Sequence, residues 1–283
     1  MFMGFLLMQL YAGWPSQGSR PIGRRLAVRG LKLLAIFTIL NLAARLAWQR
    51  NHYGAELDVM EFLHNWFDVY VTAHAKGIAF DVLVPITYTI WLAIGVIALR
   101  ETRRWTPLVL AVSVFATCVV LDATGRAINN LSFISAGMIG LWIGTRDLVD
   151  IDRIADSWAL VVVLGFGYVA VAWTGSQSYA GHIYMTIFAL VLLYAIGRRV
   201  SADSWWVGQI CLLGRYSLLS YIVQILLLQG IRVFDRLWLA EQSILTFVLV
   251  VIVSVMMWLV VVLVETGRAK ARLVDKVYRG VFA

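Results

Sequence analysis

Charge is scarce in this chain. Only 14% of its 283 residues are Asp, Glu, Lys or Arg, where ordinary soluble domains carry about 25%. Whole stretches have none: nothing ionises between Ile244 and Val264, and a run of that length can cross a bilayer. Proline is nearly absent, with 4 residues. Pro85 alone falls deep in an apolar run, which argues against the broken helices of secondary carriers. The 2 cysteines, Cys118 and Cys211, lie far apart in apolar segments. That excludes a disulfide framework and a cysteine zinc site, and both read as small buried hydrophobes. Histidine is limited to His52, His64, His74 and His182. His64 with Asp68 and Glu61 is too loose a grouping for a metal centre, and none is expected. The strand alternation of a membrane barrel, low-complexity tracts and internal repeats are also absent.

What remains is apolar. Hydrophobic residues make up 61% of the chain and mean hydropathy is +0.82. The class is an all-α, polytopic transmembrane helical bundle. About nine spans are legible by length and hydropathy: Met1–Trp14, Leu31–Trp48, Ile78–Leu99, Trp105–Leu121, Leu131–Thr145, Trp158–Thr174, Gly181–Gly197, Tyr216–Ile231 and Ile244–Val264. The loops alternate in charge. Those on one side carry more than the whole net charge of +8, and those on the other are slightly acidic. Positive loops stay in the cytoplasm, which places the N-terminus outside, the C-terminus inside, and a basic cytoplasmic tail over 265–283. The positive charge is accounted for by topology, and no nucleic-acid partner is expected. Met1–Trp14 would reach only about 21 Å as a helix, against a hydrocarbon core of roughly 30 Å. A first span that short, starting outside with no signal before it, predicts an N-terminally incomplete chain.

Residues 56–74 read as an outer-face amphipathic helix lying along the membrane. Asp58, Glu61, Asn65, Asp68 and Thr72 form its polar stripe, opposed by Leu57, Met60, Leu63, Phe67, Tyr70 and Val71. Ser204–Leu213 reads as a shorter surface helix inside. Trp173, Tyr179, Trp205 and Trp206 suit the aromatic belts. Gly137, Gly140 and Gly144 lie near one helical face and predict close helix contact rather than chemistry.

Few groups can carry chemistry. Arg24, Arg25 and Arg29 open a helix on about one turn, inside a basic loop that runs to Lys32. They read as a topology anchor or as a clamp for donor phosphates, which guanidinium groups bind bidentately. Arg215 at the inner end of its span could join them. Asn41, Arg45 and Gln49 share one face of a span. Asp81 lies near the outer end of the next, and an unpaired charge in lipid is costly, so an Arg45–Asp81 pair is expected. Asp122, Arg126, Asn129 and Asn130 make an outer polar cluster able to hydrogen-bond a sugar. His182 opens a span on the same side, where a histidine can act as a general base.

Some of these motifs resemble a known family. Gly4-Phe5 in an aromatic opening span, then Arg24-Arg25 and Arg29 leading the next helix, resembles the second and third helices of the membrane acyltransferase-3 superfamily. Leu213-Gly214-Arg215-Tyr216-Ser217-Leu218 with Tyr221 resembles its penultimate core helix. Ala79-Phe80-Asp81-Val82-Leu83-Val84-Pro85-Ile86 resembles the glucan-succinyltransferase and heparan-glucosaminide acetyltransferase branches. The resemblance implies a single integral membrane acyltransferase-like domain over residues 1–283 in a bacterial inner membrane. It implies an acyl group taken from a cytosolic donor, commonly acyl-coenzyme A, as co-substrate with no bound cofactor. The acceptor would be a hydroxyl or amine of an envelope glycan or lipid-linked sugar. Relatives carry the catalytic histidine on a first helix that has no counterpart here. The base is therefore expected upstream, with His182, Asp81 and Arg45 as candidates within the chain. Gln224 stands where relatives often have a histidine. The rival readings are a carrier or flippase for a lipid-linked sugar, or a non-catalytic membrane subunit.

Overall fold

The structure is a computed structural model, and it describes residues 1–12, 19–47, 59–73, 78–100, 105–173, 178–200, 203–238 and 243–282. Gln49, His52, Leu57, Asp58 and His74 of the sequence expectations lie outside them. The described residues are mostly helical, joined by turns, with no strand among them. In order the helices are α1 (Phe2–Ala12), α2 (Ser19–Ala47), α3 (Val59–His64), a π-helical segment (Asp68–Thr72), α4 (Leu83–Arg100), α5 (Thr106–Ala123), α6 (Asn129–Ile143) and α7 (Leu148–Asp156). Then follow α8 (Trp158–Trp173), α9 (Tyr179–Arg199), α10 (Trp205–Arg215), α11 (Ser217–Trp238), α12 (Ser243–Lys270) and α13 (Arg272–Phe282).

Among the described residues four stretches are long and apolar enough to cross a membrane: Gly23–Leu46, Thr106–Ala123, Tyr179–Arg199 and Phe247–Lys270. Two bent pairs, α7 with α8 (77°) and α10 with α11 (83°), bring the number to six if each is one span. Large apolar side chains point outward along these helices. Phe166 on α8 is 73% exposed and Phe247 on α12 is 70% exposed. Several long apolar helices with lipid-compatible surfaces fit a multi-pass membrane protein. Other expected spans form shorter helices: α1 has 11 residues and α6 has 15. Helix α6 is packed by α1, α4 and α5, so little of it needs to face lipid. Helix α4 starts at Leu83 rather than Ile78, which puts Pro85 in its first turn. There a missing N–H costs nothing, and Pro85 breaks no span.

The chain divides into two compact units, one of Met1–Ile39 with Met60–Arg199, the other of Leu40–Val59 with Val200–Ala283. The first is centred on α6. Its Gly137, Gly140 and Gly144 form the small face expected from sequence, and α1 lies on it. A Cβ on Gly4 would overlap the Gly137 carbonyl, and one on Gly140 the Met1 carbonyl. The Gln9 side chain donates to the carbonyls of Gly144 (3.2 Å) and Arg146 (2.9 Å), capping the end of α6. Helix α2 meets α4 at Gly30, with the Trp91 indole over it and bonded to the Ala27 carbonyl at 3.4 Å, and Leu26 and Leu33 of α2 are buried. At the same basic end α9 holds α7. Arg198 pairs with Asp152 at 2.7 Å, and Arg199 donates to the Ala155 carbonyl while lying 4.3 Å from the Trp158 ring. Sequence reasoning treated α7 as a loop. Its charge hid an amphipathic pattern.

In the second unit Tyr216 sits at the α10–α11 bend and is fully buried. Its hydroxyl meets the Glu265 carboxylate and the Arg268 guanidinium. Trp258 of α12 donates to Gln209 of α10 at 2.9 Å. Helix α10 is thus a separate helix, bent by 83° from α11, over much the same residues as the short helix expected at Ser204–Leu213.

Candidate functional site

The first unit has two chemically different ends, joined by α2. At one end Leu26, Gly30 and Leu33 turn into the protein, which leaves Arg24, Arg25 and Arg29 on the opposite face. All three are exposed, and none takes part in an ion pair among the described residues. No described residue neutralises their charge, as an anion site requires. Arg215, expected beside them, belongs to the other unit. It is exposed and pairs with Glu265 at 3.3 Å. That carboxylate offsets its charge, so Arg215 is the weaker candidate for a phosphate.

At the far end several helix termini meet. The helix from Val59 runs through the π-helical segment, which ends at Ala73 with φ +56°. Phe62 and Val69 are buried, while Met60, Leu63, Trp66, Phe67 and Val71 are exposed beside polar Glu61, Asn65 and Asp68. Tyr70 points inward, and its ring packs with Phe37 and Phe62. The Thr38 hydroxyl already donates to the Leu34 carbonyl at 2.8 Å. Its 2.8 Å contact with Tyr70 therefore has the phenol as donor. The segment ends at Ala73, so the carbonyls of its last turn have no partner within it. Here the Tyr70 carbonyl accepts from the Tyr88 hydroxyl (2.9 Å) and the Asn130 amide (3.0 Å), and that amide also reaches the Val71 carbonyl (3.1 Å).

Asn130 is buried, and its amide orientation is fixed by the two carbonyls it must face. Its Oδ1 then points elsewhere, buried without a hydrogen-bond partner among the described residues. Asp122 at the end of α5 accepts from the Tyr179 N–H at 2.9 Å and so caps α9. The Tyr179 hydroxyl donates to the Ser132 carbonyl at 3.2 Å. This tyrosine, read as part of an aromatic belt, is instead buried between helices. Replacing Asp122 with alanine should cost about 1 kcal/mol of stability through the lost cap, read as a lower thermal midpoint.

The four residues expected to hold a sugar thus share one end of the unit but not one task. Asp122 and Asn130 are engaged by backbone groups. Arg126 is exposed on the turn between α5 and α6, and Asn129 is exposed at the first position of α6. His182 is exposed one turn into the helix that Asp122 caps. Asp81 is exposed in the turn before α4, its carboxylate taking the Val82 N–H at 3.0 Å. The residue before it, Phe80, is buried at φ +60°, a costly backbone state for a bulky side chain and one that clusters at functional sites. Arg45 is buried in the other unit. Sequence reasoning missed Thr38, Tyr70 and Tyr88. The available signal was polar hydroxyls inside or beside apolar runs. Among the described residues no group of His, Cys, Asp and Glu is suited to a metal. No family description, curated protein or solved structure matches this chain.

Proposed function

We propose that the chain is a multi-pass acyltransferase of a bacterial inner membrane, with about nine spans, the N-terminus outside and the C-terminus cytoplasmic. It takes an acyl group from acyl-coenzyme A and delivers it to a hydroxyl or amine of an envelope glycan. One observation carries the reading: α2 presents Arg24, Arg25 and Arg29, with no ion pair among the described residues, at one end and bonds through Thr38 to the polar cluster at the other. Arg25 and Thr38 are about 20 Å apart along that helix. A donor with a phosphate-bearing head and a long thioester arm suits such a separation. The likeness of the Arg24-Arg25, Leu213–Leu218 and Ala79–Ile86 motifs to the acyltransferase-3 superfamily supports the same chemistry.

In the transfer the acceptor oxygen or nitrogen attacks the thioester carbonyl carbon. The carbon–sulfur bond breaks, and the coenzyme leaves as a thiol once the acceptor's proton reaches it. His182 is the described histidine best placed to relay that proton at the polar end. Arg126 and Asn129 remain to hold the acceptor, with Asp122 and Asn130 shaping the end they occupy.

The test is transfer of radiolabelled acyl groups from acyl-coenzyme A to membrane glycans. Alanine at Arg24, Arg25 or Arg29 should raise the donor KM about tenfold each, the value of one charge-assisted contact. His182→Ala should lower kcat with the donor KM unchanged. Absence of donor binding by the parent protein would end the proposal. A carrier is the second reading, favoured by the 83° bend between α10 and α11, because transporters often have interrupted helices. Counterflow of a lipid-linked sugar in liposomes, without acyl transfer, would select it.

A further inference from the structure

Helix α13 packs on the end of α12 within the second unit. Arg268, in the last turn of α12, donates to Asp275 Oδ1 through Nε (2.9 Å) and Nη2 (2.7 Å). Its guanidinium lies 4.2 Å from the centre of the Tyr278 ring, and the rings of Tyr216 and Tyr278 pack at 5.0 Å. Burial there pushes the Tyr278 phenol above its ordinary pKa. The sole carboxylate of α13 is thus turned inward and neutralised. Away from this seat Arg272 and Lys276 are exposed, and Leu273 is 76% exposed. In the sequence the cations Arg272, Lys276 and Arg279 recur at helical spacing, and so do Leu273, Val277 and Val281.

Ala271 alone separates α13 from α12. The stretch Phe247–Lys270 of α12 is long and apolar enough to cross a bilayer. A helix tethered that closely to the end of a span begins at the bilayer surface. An exposed leucine beside exposed cations is poorly suited to water. It suits the boundary between lipid phosphates and acyl chains.

We propose that α13 is an anchor for anionic lipid: Arg272 and Lys276 meet headgroup phosphates while Leu273 enters the acyl boundary. Because Arg268 binds both Asp275 and Tyr216, the anchored helix also steadies the α10–α11 corner next to Arg215. The inference is independent of acyl transfer.

The full chain, carrying Leu273→Cys on a Cys118→Ala, Cys211→Ala background and labelled with an environment-sensitive fluorophore, is reconstituted in two vesicle types. One is phosphatidylcholine alone and the other contains phosphatidylglycerol. Quenching by a water-soluble reagent should be several-fold slower in the anionic vesicles. Arg272→Glu and Lys276→Glu should each weaken that protection about fivefold, the effect of one basic residue at an anionic surface. Equal accessibility in both vesicle types, whether high or low, overturns the proposal. So does equal protection by soluble pyrophosphate added to the neutral vesicles. Hydrogen exchange of α13 in the unsubstituted protein, slower in anionic than in neutral nanodiscs, reads the same contact without any variant. Equal exchange in the two would also overturn it.

Discussion

A single methyl group at Gly4 should destabilise the first unit by about 3 kcal/mol or more, roughly a hundredfold in the folding equilibrium. Alanine is the better helix former by about 1 kcal/mol, so propensity alone predicts the opposite sign. Packing decides otherwise. The added carbon would fall on the Gly137 carbonyl and lie 2.8 Å from the Leu141 nitrogen. Both belong to the α6 backbone, which cannot rotate aside as a side chain can. Relief requires α1 to lift from α6, and that opens the contacts Phe5 and Met8 make around Gly144. In lipid such a separation has no hydrophobic penalty to resist it, because tails solvate apolar side chains equally well. Close backbone approach is the main attraction and is the part lost. Gly95→Ala is the matched control. Gly95 lies on α4 of the same unit, with nothing within 4 Å of the added carbon. It should leave the thermal midpoint of the detergent-purified protein unchanged or slightly raised, while Gly4→Ala lowers it sharply. Equal behaviour of the two variants would refute close α1–α6 packing.

That contact was readable in outline before any coordinates. Gly137, Gly140 and Gly144 announced a small helical face, although its partner α1 could not be named. Apolar runs longer than a bilayer's thickness were equally plain, because composition alone fixes them. Helix ends were less so. Ile78–Leu99 reads as one span in sequence, with Asp81 near its outer end, yet α4 begins at Leu83, after a turn set by Phe80 in a left-handed conformation. Nothing in hydropathy encodes that turn. The candidate site was legible as a set of polar residues at one end, and illegible in its wiring. Asp122 and Asn130 looked like ligands for a sugar, but they satisfy backbone groups left over where α9 begins and where the π-helical segment ends at Ala73. That ending, at a left-handed alanine, has no signature in sequence. Its carbonyls could not be anticipated, and neither could the need for Tyr88 and Asn130 to meet them.

Asn130 should therefore be the costliest polar residue of that end to replace. Its amide supplies two hydrogen bonds in a buried place, to the Tyr70 and Val71 carbonyls. In Asn130→Leu the Val71 carbonyl loses the Asn130 bond, while Tyr70 keeps the bond from Tyr88. An unmet buried acceptor costs about 1–3 kcal/mol, and the wider leucine adds strain to a close-packed helix start. Asn130→Asp is worse although it is the same size. It turns a carboxylate oxygen toward two carbonyl oxygens about 3 Å away, so attraction becomes repulsion with no room for solvent to screen it. Tyr88→Phe removes one bond of three and should cost about 1 kcal/mol. The expected order of destabilisation is Asp, then Leu at Asn130, then Phe at Tyr88. The first should reach about 4 kcal/mol, an effect that thermal unfolding reads directly. Hydrogen exchange across Asp68–Ala73 localises it, because the Ala73 N–H closes the π-helical segment on the Asp68 carbonyl. Should Asn130→Asp prove as stable as the parent, the Asn130 amide cannot be what holds this segment. Tyr70 would then reach Thr38 by some other support, and the link from α2 to the polar end would lose its physical basis.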